Sequence, residues 1–126
     1  MAKYLLDSDV IIEWLRHDPG VVAWLEAIDA AGDFLACTPV SIAEIYAGMR
    51  PSDPFFIGDL LRVLHCVDLT ERIGHKAGQY RHAYGRLHGV EVADALIAAA
   101  AHVHGLTLCT RNLRHYPMRD LKKQRI

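Results

Sequence analysis

The alternation of short apolar runs with helix-periodic segments predicts an α/β fold on a mainly parallel sheet. Three observations carry the prediction. Continuous apolar runs recur at residues 3–7, 34–37, 66–69 and 106–109, the form strands take when a parallel sheet is covered on both faces. The segments between them repeat apolar residues at helical spacing. Two of those segments open with a cap followed by proline, Asp18-Pro19 and Thr38-Pro39, which marks the first helical turn.

Taken in order, residues 3–7 form the first strand, and Ser8 or Asp9 caps a helix carrying Ile11, Ile12 and Leu15. A second helix starts at Asp18-Pro19, carries Val22, Leu25 and Ile28, and stops before Gly32. Phe34-Leu35-Ala36-Cys37 is the second strand, and a helix with Ile42, Ile45, Tyr46 and Met49 follows Thr38-Pro39. Arg50 to Pro54 reads as a loop, then a helix with Phe56, Leu60, Leu61 and Leu64. Cys66 to Leu69 is the third strand. Thr70 opens a long helix whose stripe is Ile73, Ala77, Tyr80, Tyr84 and Leu87, and Gly89 ends it. Gly74, Gly78 and Gly85 share one face of that helix, which suggests close helix packing. A helix over about 91–104 ends at Gly105, and Leu106 to Cys109 is the fourth strand. The basic C-terminal segment has room for one more short strand.

The bulk properties bound the function. A chain of 126 residues reads as one domain, 1–126, able to bury roughly two thirds of its unfolded surface in one core. A net charge of -1 makes the whole molecule no trap for polyanions, so any such binding needs a local patch. Cys37, Cys66 and Cys109 lack metal-site spacing and sit in apolar runs, as buried free thiols of a reducing cytoplasm do. No run is long enough to span a membrane, and no leader precedes the first strand, so a cytoplasmic protein is expected.

The chemistry lies in carboxylates placed where solubility does not ask for them. Asp7 ends the first apolar strand, where open α/β sheets carry their sites. Glu44 stands beyond the first turn of an apolar helix, among small neighbours. Asp94 opens a helix that is apolar nearly all round, and an unpaired carboxylate there costs several kcal/mol, of order 3–5, unless neutralised. Asp9 is assigned to the helix cap or first turn, with metal contact as the minor alternative. Acids converging from three distant places suit a hard divalent cation, Mg2+ or Mn2+, rather than zinc. Such an ion orients and acidifies a water for attack on a phosphate ester. Residues 111–126 hold Arg111, Arg114, Arg119, Lys122, Lys123 and Arg125 against Asp120 alone, and that stretch could track a phosphate backbone, with Tyr116 as a stacking surface.

Together, Leu5 to Ile12, Ser41 to Gly48, Ala93 to Ala100 and Thr110 to Tyr116 resemble the successive motifs of PIN domains, in particular the VapC-type toxins of bacterial toxin–antitoxin pairs. The resemblance implies a three-layer α/β/α sandwich and a metal-dependent endoribonuclease. It also implies a homodimer held inactive by a small VapB-like antitoxin. Carried over, it makes Asp7, Glu44 and Asp94 the metal ligands and catalytic acids, with Asn112 catalytic beside them and Ser8, Thr110 and His115 in support. Arg111, Arg114, Lys122 and Lys123 are the candidate RNA contacts, and apolar surface near Trp14 and Trp24 is where the antitoxin is expected. The chain departs from the family pattern at the fourth motif, where Asn112 and His115 stand in positions that often hold aspartate.

Two other readings remain open at this stage. One is a catalytically degenerate PIN-like module that binds RNA or protein. The other is a phosphatase of the haloacid-dehalogenase type with Asp7 as nucleophile. The latter needs a late acidic pair, and after Leu108 the chain offers no acid until Asp120.

Overall fold

The computed structural model describes residues 1–51 and 54–126, with the side chains of residues 54–56 and 60 left aside. The loop assignment at Ser52 and Asp53, and the helical stripe at Phe56 and Leu60, therefore lie outside the described residues. Among the described residues five strands are present: β1 (Lys3–Leu6), β2 (Phe34–Cys37), β3 (His65–Cys66), β4 (Thr107–Thr110) and β5 (Lys123–Arg125). Their order in the sheet is β3-β2-β1-β4-β5, and every pairing is parallel. The helices are α1 (Ser8–Leu15), α2 (Pro19–Ala30), α3 (Pro39–Ala47), α4 (Pro54–Arg62), α5 (Glu71–His88) and α6 (Val92–His104), with a 3-10 turn at Leu113–His115.

Two apolar layers sandwich the sheet, and the pleat assigns alternate residues to each. Leu5, Ala36 and Leu108 face a core built with α5 and α6, where Ile73, Ala77, Tyr80, Ile97 and Ala98 to Ala101 are buried. Leu6, Cys37 and Cys109 face the other core, with Val10, Ile11, Val21, Leu25, Ile45 and Ile57. Neighbouring positions on three strands thus point to opposite faces, as a period of two demands. The run of buried alanines on α6 lets α5 and the sheet approach it closely.

The entry chemistry of the helices is as expected in three places. Asp18 accepts from Val21 N at 3.0 Å, Thr38 from Ser41 N at 3.2 Å and Thr70 from Ile73 N at 3.3 Å. Gly89 and Gly105 end α5 and α6 with φ of +64° and +67°, a conformation that favours glycine.

Several expectations are corrected. The cap of α1 is Asp7 itself, which accepts from Ser8 N at 2.8 Å, so β1 ends at Leu6 and Asp9 falls in the first turn. β3 is only two residues, His65 and Cys66, because the chain after Val67 turns away to reach the Thr70 cap. β4 runs one residue further than its apolar run, because buried Thr110 pairs with Arg125 of β5. Leu87 is 86% exposed, so the α5 stripe stops at Tyr84. A side chain at Gly74 or Gly78 would meet nothing within 4 Å, and at Gly85 it would meet chiefly the flexible end of Arg81 on the same helix, so none of the three is needed for another helix to approach. Cys66 is exposed, while Cys37 and Cys109 are buried. Among the described residues no helix is long and apolar enough to cross a membrane.

Candidate active site

From central β1 the chain crosses to β2 on one side and later returns as β4 on the other. The C-terminal ends of β1 and β4 thus flank a topological switch point, where open α/β sheets bind ligands. Leu6 pairs with Cys109 in register, and Asp7 N donates to Cys109 O at 2.9 Å. Asp7 and Thr110 therefore lie side by side at the strand ends, both buried.

Asp7 is fixed through both oxygens. Its Oδ1 accepts from Ser8 N, and its Oδ2 accepts from Thr110 Oγ1 at 2.8 Å. Burial, followed by the negative charge of Asp9, nevertheless pushes its pKa up from 3.8 to about 6. Asp9 points the same way from the first turn of α1. Its Oδ2 accepts from Arg111 N at 3.0 Å and stands 3.4 Å from Thr110 Oγ1. Burial holds its carboxyl above the usual range as well.

Glu44 reaches the site from α3. It is exposed, yet the Ser8 hydroxyl lies 2.7 Å from its Oε1 and 2.9 Å from Ser41 Oγ. A hydroxyl has one proton, and the carboxylate is the stronger acceptor. Ser8 thus serves Glu44, and buried Ser41 completes the chain behind it. Asp94 enters from the first turn of α6. Burial, with the charges of Glu44 and Glu91 behind it, raises its pKa, while His115 opposes the shift. His115 Nδ1 lies 3.9 Å from Asp94 Oδ2, and its Nε2 lies 3.1 Å from Asn112 Nδ2. An amide nitrogen can only donate, so Nε2 accepts and Nδ1 carries the proton that faces Asp94.

Beneath this group lies Tyr116, fully buried. That placement corrects the expectation of a stacking surface, since RNA bases cannot reach the ring. Its phenol is pushed far above its ordinary range by burial and then by the charges of Asp7 and Asp94. Among the described residues two buried side-chain polar atoms make no well-aligned hydrogen bond, Tyr116 OH and Asp9 Oδ1. Both border the acidic group.

The donor set is all oxygen and anionic, which matches a hard divalent cation in chemistry. Excess negative charge and an unpartnered buried carboxylate oxygen are what such an ion would satisfy. Among the described residues no three His, Cys, Asp or Glu side chains are drawn together into a ready ion cage; unshielded carboxylates repel one another.

The basic segment is divided in its uses. Arg111 pairs with Asp18 at 3.1 Å. Lys123 Nζ donates to the carbonyls of Tyr116 and Met118, bracing the turn into β5. Arg114 and Lys122 are exposed. Sequence reasoning assigned no role to Ser41, and for Tyr116 it missed the buried hydroxyl. Ser41 was detectable as a serine inside the Glu44 motif, but no local signal marks Tyr116 as buried. Trp24 meets Tyr4 edge-on with ring centroids 5.5 Å apart, and half-buried Trp14 lines a cavity of about 140 Å³ with Leu25, Leu35 and Val63. A cavity of about 430 Å³ at the opposite, N-terminal ends of β1 to β3 is lined by Lys3, Phe34, His65 and His104, among others, and holds none of the clustered acids.

A parallel sheet between two helical layers, with Asp7 and Thr110 side by side at its switch point, defines the class of PIN-like α/β/α folds. The PIN domain family matches this chain over residues 4–121, and the chain belongs to that family. It is 41% identical to Ribonuclease VapC10 of Mycobacterium tuberculosis (strain H37Rv) over 118 residues, 90% of this chain and 86% of the relative. It is 31% identical to Toxin FitB of Neisseria gonorrhoeae over 129 aligned positions, covering 86% of each. The crystal structure of VapBC2 from Rickettsia felis bound to a DNA fragment from their promoter contains a chain of the same fold, with a TM-score of 0.85, 20% identity and 98% of both chains covered.

Proposed function

We propose that this protein is a metal-dependent endoribonuclease of VapC type, the toxin of a toxin–antitoxin pair, and that its 126 residues form one such domain in the cytoplasm. The reading draws support from the names of its relatives, a ribonuclease and a toxin. The observation that carries it is electrostatic: Glu44 acts on Asp94, and Asp7 and Asp94 both act on buried Tyr116, so acids from the end of β1, from α3 and from α6 feel a common surrounding. In this reading those three hold Mg2+ or Mn2+. The ion supplies positive charge against the phosphate and lowers the pKa of a nearby water.

The chain's own residues do the rest. Thr110 and Ser8 N fix Asp7, and Ser8 fixes Glu44. His115 and Asn112 orient Asp94. Arg114 and Lys122 contact the RNA backbone. Both Asp7 oxygens accept hydrogen bonds, an arrangement better suited to a fixed ligand than to a phosphatase nucleophile. A VapB-like antitoxin partner draws support from the VapBC2 complex, and a homodimer is the family expectation.

The test is incubation of a mixed cellular RNA pool with purified protein, with Mg2+ or Mn2+ or with chelator, beside Asp94→Asn. Discrete fragments that need the ion and vanish in the folded variant support the reading. Equal cleavage by wild type and variant removes Asp94 from the site. Absence of cleavage by folded, partner-free protein, with no Mn2+ affinity, favours a binding module.

A further inference from the structure

The fourth motif of this chain brings no acid to the site. Asn112 is neutral, and its amide is turned to His115. One carboxylate that the metal reading leaves unused stands beside Asp7. Asp9 is anchored through Oδ2 to Arg111 N at 3.0 Å, while its Oδ1 is buried and has no partner. The nearby Thr110 hydroxyl cannot serve Asp9. Its single proton goes to Asp7 at 2.8 Å, and its oxygen already accepts from Asn112 N at 3.0 Å.

A second atom tells what the neighbouring space requires. Tyr116 is fully buried, and its hydroxyl lies among Asp7, Asp94 and Asp9 without a well-aligned hydrogen bond to any of them. The acceptor and the donor belong to one acidic group, in which the charge of Asp9 acts on the Tyr116 phenol. A hydrated cation answers both, with charge for the carboxylate and a water oxygen for the phenol O–H. An apolar group answers neither, and a buried polar atom left unsatisfied is costly.

We propose that Asp9 supplies the fourth carboxylate of the cation site, in place of the acid missing at Asn112 and His115. This assignment rests on the metal reading above. Asp9→Asn isolates the claim, because asparagine keeps an oxygen for Arg111 N and puts a neutral amide where Oδ1 now stands. Mn2+ is titrated calorimetrically into partner-free wild type, Asp9→Asn, Asp94→Asn and the double variant Asp9→Asn/Asn112→Asp, with circular dichroism confirming each fold. Asp9→Asn is expected to weaken Mn2+ binding tenfold or more, and the added Asn112→Asp to recover at least part of that loss. Less than a tenfold change in Asp9→Asn, while Asp94→Asn loses the ion, overturns the assignment and leaves the three-acid site standing. If wild type itself binds no Mn2+, the metal reading fails and the role of Asp9 falls with it.

Discussion

The Thr110 hydroxyl donates to Asp7 Oδ2 across 2.8 Å, joining residues 103 apart in sequence. This contact closes the switch point, because it ties the end of β4 to the end of β1 at the acid itself. It also gives Asn112 N its acceptor. Thr110→Val keeps the shape and removes both bonds, leaving a buried carboxylate oxygen and a backbone N–H poorer by one partner. The expected loss is about 1–3 kcal/mol of stability, together with cleavage activity, read by urea unfolding and RNA digestion. Thr110→Ser retains the hydroxyl and is expected to stay within about 1 kcal/mol of wild type. Equal stability of the valine and serine variants would show that the bond does not matter.

Asp7 makes the metal-free protein pH-sensitive, and the sign follows from its raised pKa. Burial and Asp9 lift it from 3.8 to about 6, so the folded chain holds a proton that the unfolded chain has released. Stability therefore falls as pH rises through that window, and the penalty is complete above about 6. Asp7→Asn relieves a penalty of order 1–3 kcal/mol, less what it loses in its bond with Thr110. Without metal the variant is expected to be the more stable at pH 7.5, with the gap closing towards pH 4. Added Mn2+ is expected to stabilise wild type and leave the variant unmoved. A pH-independent gap in urea midpoints would rule this account out.

Ser8 acts on Glu44 through one hydrogen bond, with Ser41 behind it. Glu44 is exposed on α3, so without Ser8 its side chain is free to turn to solvent. Ser8→Ala is expected to lower activity or Mn2+ affinity about 10–100-fold, the usual effect of losing a ligand's supporting contact. Stability is expected to move by about 1 kcal/mol. A large loss of stability with unchanged affinity would make Ser8 a fold residue only.

How much of this was legible from sequence depends on how local each cause is. Thr38 and Thr70 were readable as caps because a cap needs only its own next residues. The β2 boundaries at Phe34 and Cys37 followed from an unbroken apolar run. The end of β4 did not, since buried Thr110 is polar and earns its place only by pairing with Arg125 and bonding Asp7. Gly74 and Gly78 were misread because a glycine on a helix face looks the same whether a neighbour presses on it or solvent does. Asp7, Glu44 and Asp94 stood out as acids in apolar settings. Asp9 did not, since first-turn acids are common and its orphaned oxygen exists only once Arg111 has come alongside. Tyr116 lies in a basic, loop-like stretch, and nothing nearby in sequence shows that Met118 and Leu121 bury it with them.

The basic segment separates into braces and free charges, and salt dependence distinguishes them. Lys123 is occupied by the carbonyls of Tyr116 and Met118, so Lys123→Ala is expected to lower stability with little change in RNA affinity. Arg114 and Lys122 are exposed, so Arg114→Ala and Lys122→Ala are each expected to weaken RNA binding and leave the fold untouched. For single-stranded RNA each lost phosphate contact lowers the slope of log affinity against log salt by about 0.7. The measurement uses the cleavage-inactive Asp94→Asn background, so that the RNA survives titration at several salt concentrations. Arg111 is the intermediate case, because its pair with Asp18 at 3.1 Å competes with any phosphate. Its alanine variant is expected to change the slope less than that of Arg114. If Lys123→Ala lowers the slope as much as Arg114→Ala at equal stability, the division drawn from the geometry is wrong and the whole segment acts as one basic patch.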